Sequence, residues 1–258
     1  YILLKTTSLP MQIQPVNESE YTINLNVLKV GCSRNSSRDI DSTKKHISEI
    51  VNSGFKMHGP AEIAFKSRYL LTNASGIEVQ GPQTSGEAEF VVFTYAGKIY
   101  LTVGSDHNDR SLEIMWTEML GKVHDTAKSK QMVPAVIAPE AWLYDEIKNH
   151  WDKIIINSSV TVSNELVQYQ RYSLSELLDI EYYMDKENWI LEEGSVLFGG
   201  SGPLVDSVPD NVYKGQKDLN GVAFPIDFHI EIYDPVLDRS ISHQYDVISI
   251  EPIDSFSL

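Results

Sequence analysis

Gly86-Glu87-Ala88-Glu89-Phe90-Val91-Val92-Phe93-Thr94-Tyr95-Ala96-Gly97-Lys98-Ile99-Tyr100-Leu101-Thr102-Val103-Gly104-Ser105-Asp106 holds two β-rich runs on either side of Ala96-Gly97. A small residue followed by glycine between such runs signals a hairpin, because glycine supplies the positive φ of a two-residue turn. With Ala96 and Gly97 as the central pair, Thr94 faces Ile99 and Glu87 faces Asp106. Alternate residues of a strand share a face, so Glu87 and Glu89 point the same way. Directly opposed residues of an antiparallel pair share a face too, which brings Asp106 beside Glu87. Gly104, opposite Glu89, leaves space. Three converging carboxylates repel unless a cation neutralises them. Ligation by oxygen alone suits Mg²⁺ or Mn²⁺, with Ca²⁺ as a substitute. On spacing alone an exposed acidic strand end fits equally well, and a bulge or longer turn would break the register.

Outward from the hairpin, residues 21–32 alternate weakly and read as a strand ending near Gly31. Residues 40–53 read as a helix with Ser42 as N-cap and Gly54 as stop. A mostly helical stretch follows near 111–128. Ser173 and Glu176 form a capping-box pattern that opens another helix. Ile226, Phe228, Ile230 and Ile232 alternate with Asp227, His229, Glu231 and Tyr233. A turn at Asp234-Pro235 then leads into a strand over 240–250. No repeat or low-complexity linker interrupts the chain, so it reads as a single domain over 1–258, with 1–20 peripheral or a variable extension. The class is α+β, mainly β, with a few short helices.

The 258 residues carry a net charge of -15 with no basic stripe, which argues against a nucleic-acid partner. No apolar run approaches the roughly 18 residues of a membrane span. The single cysteine, Cys32, excludes an intrachain disulfide. These features read as an intracellular, cytoplasmic protein.

Four segments together resemble the fumarylacetoacetate hydrolase superfamily. Glu87-Ala88-Glu89 resembles its Glu-x-Glu metal motif, and Asp106 to Arg110 its Asp-x-x-x-Arg motif. Ala127 to Pro134 resembles the lysine-containing segment that follows. Leu191 to Gly202 resembles a late glycine-rich stretch, but Ser195 stands where the superfamily has Asp and Ser201 where it has Thr. Similarity is closer to an uncharacterised subgroup, a domain of unknown function. The subgroup's features match Ser85 to Glu89, Gly104 to Arg110, Ser129-Lys130-Gln131 and His150-Trp151-Asp152. The resemblance implies a mixed β-sandwich roll, metal ligation by Glu87, Glu89 and Asp106, and a homodimer.

His46 and Glu49 lie three apart on the early helix and share a face. They match a His-x-x-Glu dyad that activates water in acylpyruvases of the superfamily; a solvated face beside Lys44 and Lys45 is the plainer alternative. Lys130, ahead of Lys128, is a candidate for a substrate carboxylate or enolate oxygen. Arg38 is a candidate carboxylate clamp, or else a loop ion pair with Asp39. Arg110 would balance the acidic site. Gly200 and Ser201 sit in a Gly-rich loop whose N–H groups would approach an anionic substrate. His107 and Asp109 are expected to support the site, and Cys32 to lie in the core. His150-Trp151-Asp152 is expected to pack structurally, and Asp227, His229 and Glu231 to form a solvated face.

The implied function is metal-dependent hydrolysis or lysis of a C–C bond in a small 2-oxo or 2,4-dioxo acid. The alternatives are an isomerase or hydratase on a related oxo acid, and a ligand-binding protein without chemistry.

Overall fold

The structure, a computed structural model, describes residues 7–52, 61–119, 127–186 and 192–250. It is built mainly of strands. The largest sheet has ten. Its main path runs Tyr21–Val27, Thr7–Ile13, Glu140–Leu143, Lys98–Ser105, Ala88–Tyr95, Ser195–Phe198, Lys29–Arg34 and Glu62–Lys66. A five-stranded sheet runs Glu165–Ser173, Ile155–Val162, Asp227–Asp234, Arg239–Ile250 and Gly76–Gln80.

The hairpin forms in the expected register. Ala96 and Gly97 have φ of 50° and 71°, as a two-residue turn of this hand needs. Ala88 pairs with Ser105, Glu89 with Gly104 and Tyr95 with Lys98. Ala88, Phe90 and Val92 pack on one side with Ile156, Ile230 and Ile232 of the five-stranded sheet. Val91 and Phe93 pack on the other with Met11, Ile13, Leu25 and Phe198. All residues of that second cluster come from the ten-stranded sheet, which therefore curls around them. Burial on both faces explains why 88–95 reads as a continuous apolar run rather than an alternation.

Three sequence readings need correction. Residues 21–32 are two strands separated at Leu28, one pairing with Thr7–Ile13 and the other with Ser195–Phe198 and Glu62–Lys66. Residues 7–13, expected to be peripheral, lie inside the large sheet with Met11 and Ile13 fully enclosed. The early helix starts at Ile40, so Ser42 falls within its first turn. Gly54 lies outside the described residues. The helical stretch near 111–128 appears as Arg110–Met119 and Ala127–Lys130. Ser173 and Glu176 do form a capping box, on a single 3-10 turn over Leu174–Glu176. No helix among the described residues is long and apolar enough to cross a membrane.

Candidate metal and substrate site

The hairpin end sets the site. Asp106 N–H donates to the Glu87 carbonyl at 3.1 Å, which extends the ladder by one pair and puts Asp106 opposite Glu87. Glu87, Glu89 and Asp106 therefore share a face. A side chain at position 104 would come within 2.7 Å of the Val136 carbonyl and of Val91, so only glycine fits opposite Glu89.

Glu89 and Asp106 are buried, at 2 % and 0 % exposure. Burial, then the negative charge of Asp106, push the Glu89 carboxyl well above its ordinary range, with Glu87 adding to the effect. Gly200 N–H, at φ +93°, opposes this by donating to Glu89 Oε2 at 2.7 Å. Ser201 Oγ donates to Glu87 Oε2 at 3.2 Å. The Gly-rich loop thus does cradle an anion, but the anion is the protein's own pair of glutamates.

Each carboxylate has a built-in counter-charge or donor. Lys130 is buried and bonds Asp106 Oδ2, whereas Lys128 is exposed. Lys66, 5 % exposed, stands 3.7 Å from Asp106 Oδ1 and donates to the His107 carbonyl at 3.3 Å. Burial would raise the Asp106 carboxyl, but Lys130 and Lys66 outweigh it and hold it below the usual range. Burial lowers the Lys66 ammonium, against the pull of Asp106. Gln131 grips the backbone on either side of Lys66, donating to Phe65 O at 2.9 Å and accepting from Ser67 N at 3.0 Å. Ser129-Lys130-Gln131 thereby places both lysines. Arg110 reaches Glu87 at 2.7 Å, Glu113 at 2.8 Å and Ser85 Oγ at 2.7 Å. Glu87, Arg110, Ser201, Tyr169, Tyr213 and Lys214 line a cavity of about 200 Å³.

Among the described residues, no three Asp, Glu, His or Cys side chains are gathered as a ready coordination sphere. The three carboxylates share a face, but their expected convergence into one coordination sphere is not seen: Lys130 bonds Asp106 and Arg110 bonds Glu87. The donors still suit a hard divalent ion. They are all carboxylate oxygens, Glu89 is desolvated, and buried Asp106 Oδ1 accepts no hydrogen bond.

The other candidates sort by their partners. His107 lies in the core, its ring nitrogens 3.1 Å from Tyr245 Oη and 2.9 Å from Thr84 Oγ1, and it braces the strand end. Asp109 caps the following helix by accepting from Leu112 N at 2.9 Å. Arg38 is not aimed at the carboxylates. Its fork holds Asp152 at 2.8 and 2.9 Å, and its Nε donates to the Leu177 carbonyl. That pairing, with His150 on Asp234 at 2.9 Å and Trp151 against Phe90, accounts for the His-Trp-Asp triplet as packing. Cys32 lies buried in the core as expected, and burial first, then Asp106, push its thiol well up. His46 and Glu49 both fall on the helix Ile40–Asn52, but their side chains lie outside the described residues. Sequence reasoning missed Lys66, a lone lysine in an alternating strand; its only signal was a buried-strand position shared with Ala64.

No curated protein matches the chain. Solved structures of similar fold include a yeast fumarylacetoacetate hydrolase family protein, ynq8, at 13 % identity and TM-score 0.55, covering 90 % of this chain and 97 % of that one. Another is Cg1458, at 16 % identity and TM-score 0.55, covering 92 % and 86 %. A third is a 2-keto-3-deoxy-D-arabinonate dehydratase complexed with magnesium and 2,5-dioxopentanoate, at 18 % identity and TM-score 0.53, covering 87 % and 74 %. The chain thus has the fumarylacetoacetate hydrolase fold, as its motifs implied. A family profile described as protein of unknown function (DUF2848) matches residues 35–245, and the chain belongs to that family.

Proposed function

We propose that the chain is a divalent-metal-dependent hydrolase or lyase that cleaves a C–C bond in a small 2-oxo or 2,4-dioxo acid, in the manner of an acylpyruvase or oxaloacetate decarboxylase. The observation that carries this reading is the carboxylate set on one face of the hairpin, with Glu89 and Asp106 buried and Asp106 Oδ1 lacking a hydrogen bond. Glu87, Glu89 and Asp106 would hold Mg²⁺ or Mn²⁺, with Ca²⁺ as a substitute. Bound there, such an ion supplies Lewis acidity toward the carboxylate and adjacent carbonyl of a 2-oxo acid.

The chain's own residues do the rest. Gly200 and Ser201 fix the two glutamates from outside. Arg110 orients Glu87 and balances the acidic charge. Lys130 offers its ammonium to a substrate carboxylate or enolate oxygen. In a hydrolase, His46, oriented by Glu49, takes a proton from the attacking water. A decarboxylase needs no such base. The working unit is a homodimer acting on a small oxo acid, without nucleic acid or membrane.

Two other readings each have one observation in their favour. A hydratase or isomerase on a related oxo acid is supported by the magnesium-complexed dehydratase of the same fold. A ligand-binding protein without chemistry is supported by Lys130 and Arg110, which already neutralise the carboxylates. The deciding experiment is a screen of the purified protein with Mg²⁺ or Mn²⁺ against 2-oxo and 2,4-dioxo acids. The expected result is metal-dependent C–C cleavage. Metal-dependent loss or gain of water without cleavage selects the hydratase reading, and binding without turnover selects the non-catalytic one.

A further inference from the structure

We infer that Gln170 and Tyr172 are positioning residues that hold the Glu87–Glu89 segment in place from the opposite sheet, an inference that rests on the metal-site reading above. Along Ala88–Tyr95, the Glu87 carbonyl bonds toward the Lys98–Ser105 strand, through Asp106 N–H. The intervening peptides turn the other way: Phe90 O accepts from Gly199 N at 3.0 Å. On that side, Ser195–Phe198 pairs with Val91 to Phe93 of this strand. Ala88 lies past its end and is fully buried. Left unpaired there, its N–H and C=O would bear the full cost of losing water without a replacement partner.

Two side chains take the place of the missing strand. Ala88 N–H donates to Gln170 Oε1 at 2.8 Å, and Tyr172 Oη donates to Ala88 O at 2.7 Å. Both residues are buried, at 0 % and 3 %, and they lie two apart on Glu165–Ser173. Opposite them, the pairing with Ile155–Val162 shifts by one residue between Ser158 and Ser159, leaving Tyr169 as the extra residue of a bulge. Bulges of this kind re-aim side chains, and here Tyr169 and Gln170 are both buried in succession.

The Gln170 carboxamide is fixed by Ser158 Oγ, which donates to Oε1 at 3.1 Å. Its Nε2 donates to Gly202 O at 3.2 Å, on the loop whose Gly200 and Ser201 hold Glu89 and Glu87. One side chain therefore ties the peptide between the two glutamates to the loop that grips their carboxylates. Any shift of the Ala88 peptide moves both glutamates together.

The test uses the full chain with Mn²⁺ as probe. Tyr172→Phe and Gln170→Leu are compared with wild type by calorimetric titration, by the electron paramagnetic resonance line shape of bound Mn²⁺, and by the melting temperature without metal. Each variant is expected to weaken Mn²⁺ binding about 10–100-fold, the usual effect of removing a group that orients ligands, and to alter the line shape. A lowered melting temperature with unchanged affinity and line shape would make the two residues merely structural and overturn the inference. Tyr172→Phe, which keeps the ring, decides the matter if Gln170→Leu does not fold. Wild type that takes up no Mn²⁺ sinks the metal-site reading and this inference with it. Wild-type uptake with unaffected variants sinks this inference alone.

Discussion

Two hairpins of this molecule carry ionisable side chains at alternate positions, and only one of them makes a candidate site. In the hairpin Asp227–Ile250 the alternation is strict along Asp227–Asp234, and Asp227, His229 and Glu231 sit on its half-buried face. Asp227 accepts from Thr161 N at 2.9 Å and Glu231 from Asn157 Nδ2 at 2.9 Å, while the His229 side chain is 41 % exposed. Neighbouring polar groups satisfy Asp227 and Glu231, and the half-exposed His229 ring lies 3.8 Å from Asp227 Oδ1. In Ala88–Ser105 both faces are buried, so Glu89 and Asp106 lose water and must be neutralised collectively. The pattern of charges is alike; desolvation separates a polar surface from a candidate centre.

The comparison breaks most visibly at Lys130. Lys130→Met leaves Asp106 buried beside one remaining lysine, and loss of a buried ion-pair partner costs about 3–5 kcal/mol. Denaturant unfolding without metal should show a loss of that order, and Mn²⁺ should restore part of it. Glu231→Ala on the other hairpin should change stability by no more than about 0.5 kcal/mol. Similar losses for the two variants would erase the distinction between the hairpins.

A smaller effect tests the space that burial leaves. Gly104→Ala puts a methyl group 2.7 Å from the Val136 carbonyl, Val91 and, at 2.8 Å, Phe198. Overpacking of this kind costs about 1–3 kcal/mol. Thermal unfolding should register it, whereas an unchanged melting temperature would mean that the hairpin end yields.

The smallest effect lies at the far end of the second hairpin. Burial would raise the Asp234 carboxyl, but His150 and the N–H groups of Leu237 and Val236 hold it below its ordinary range. A carboxylate depressed in the folded state contributes stability above its unfolded pKa and loses it as pH falls through the folded value. Asp234→Asn, which keeps one acceptor oxygen, should therefore cost about 0.5–1.5 kcal/mol near neutrality, the net scale of one hydrogen bond. The cost should shrink in acid. Parallel stability–pH curves for wild type and variant would show that the carboxylate is not involved.

What the sequence made legible follows the same physics. Ala96-Gly97 sets the register, and the register alone puts Glu87, Glu89 and Asp106 on one face. Asp227–Asp234 was legible because one of its faces is more exposed than the other. The break at Leu28 was not, because both neighbouring strands are apolar enough to read as one. Lys66 was not, because nothing local tells a buried lysine facing Asp106 from a surface lysine. Gln170 was hidden for a related reason: its partner is the backbone of Ala88, which leaves no mark on the side-chain pattern. The shared face of the carboxylates was legible, but the protein's own Lys130 and Arg110 as the groups that pair with them were not.

The buried carboxylates of the first hairpin are proposed to bind a divalent cation. Calorimetric titration of Mn²⁺ into wild type and Glu89→Ala tests this directly. One Mn²⁺ per chain in wild type and none in the variant is expected. No uptake by wild type, or equal uptake by both, would contradict the proposal.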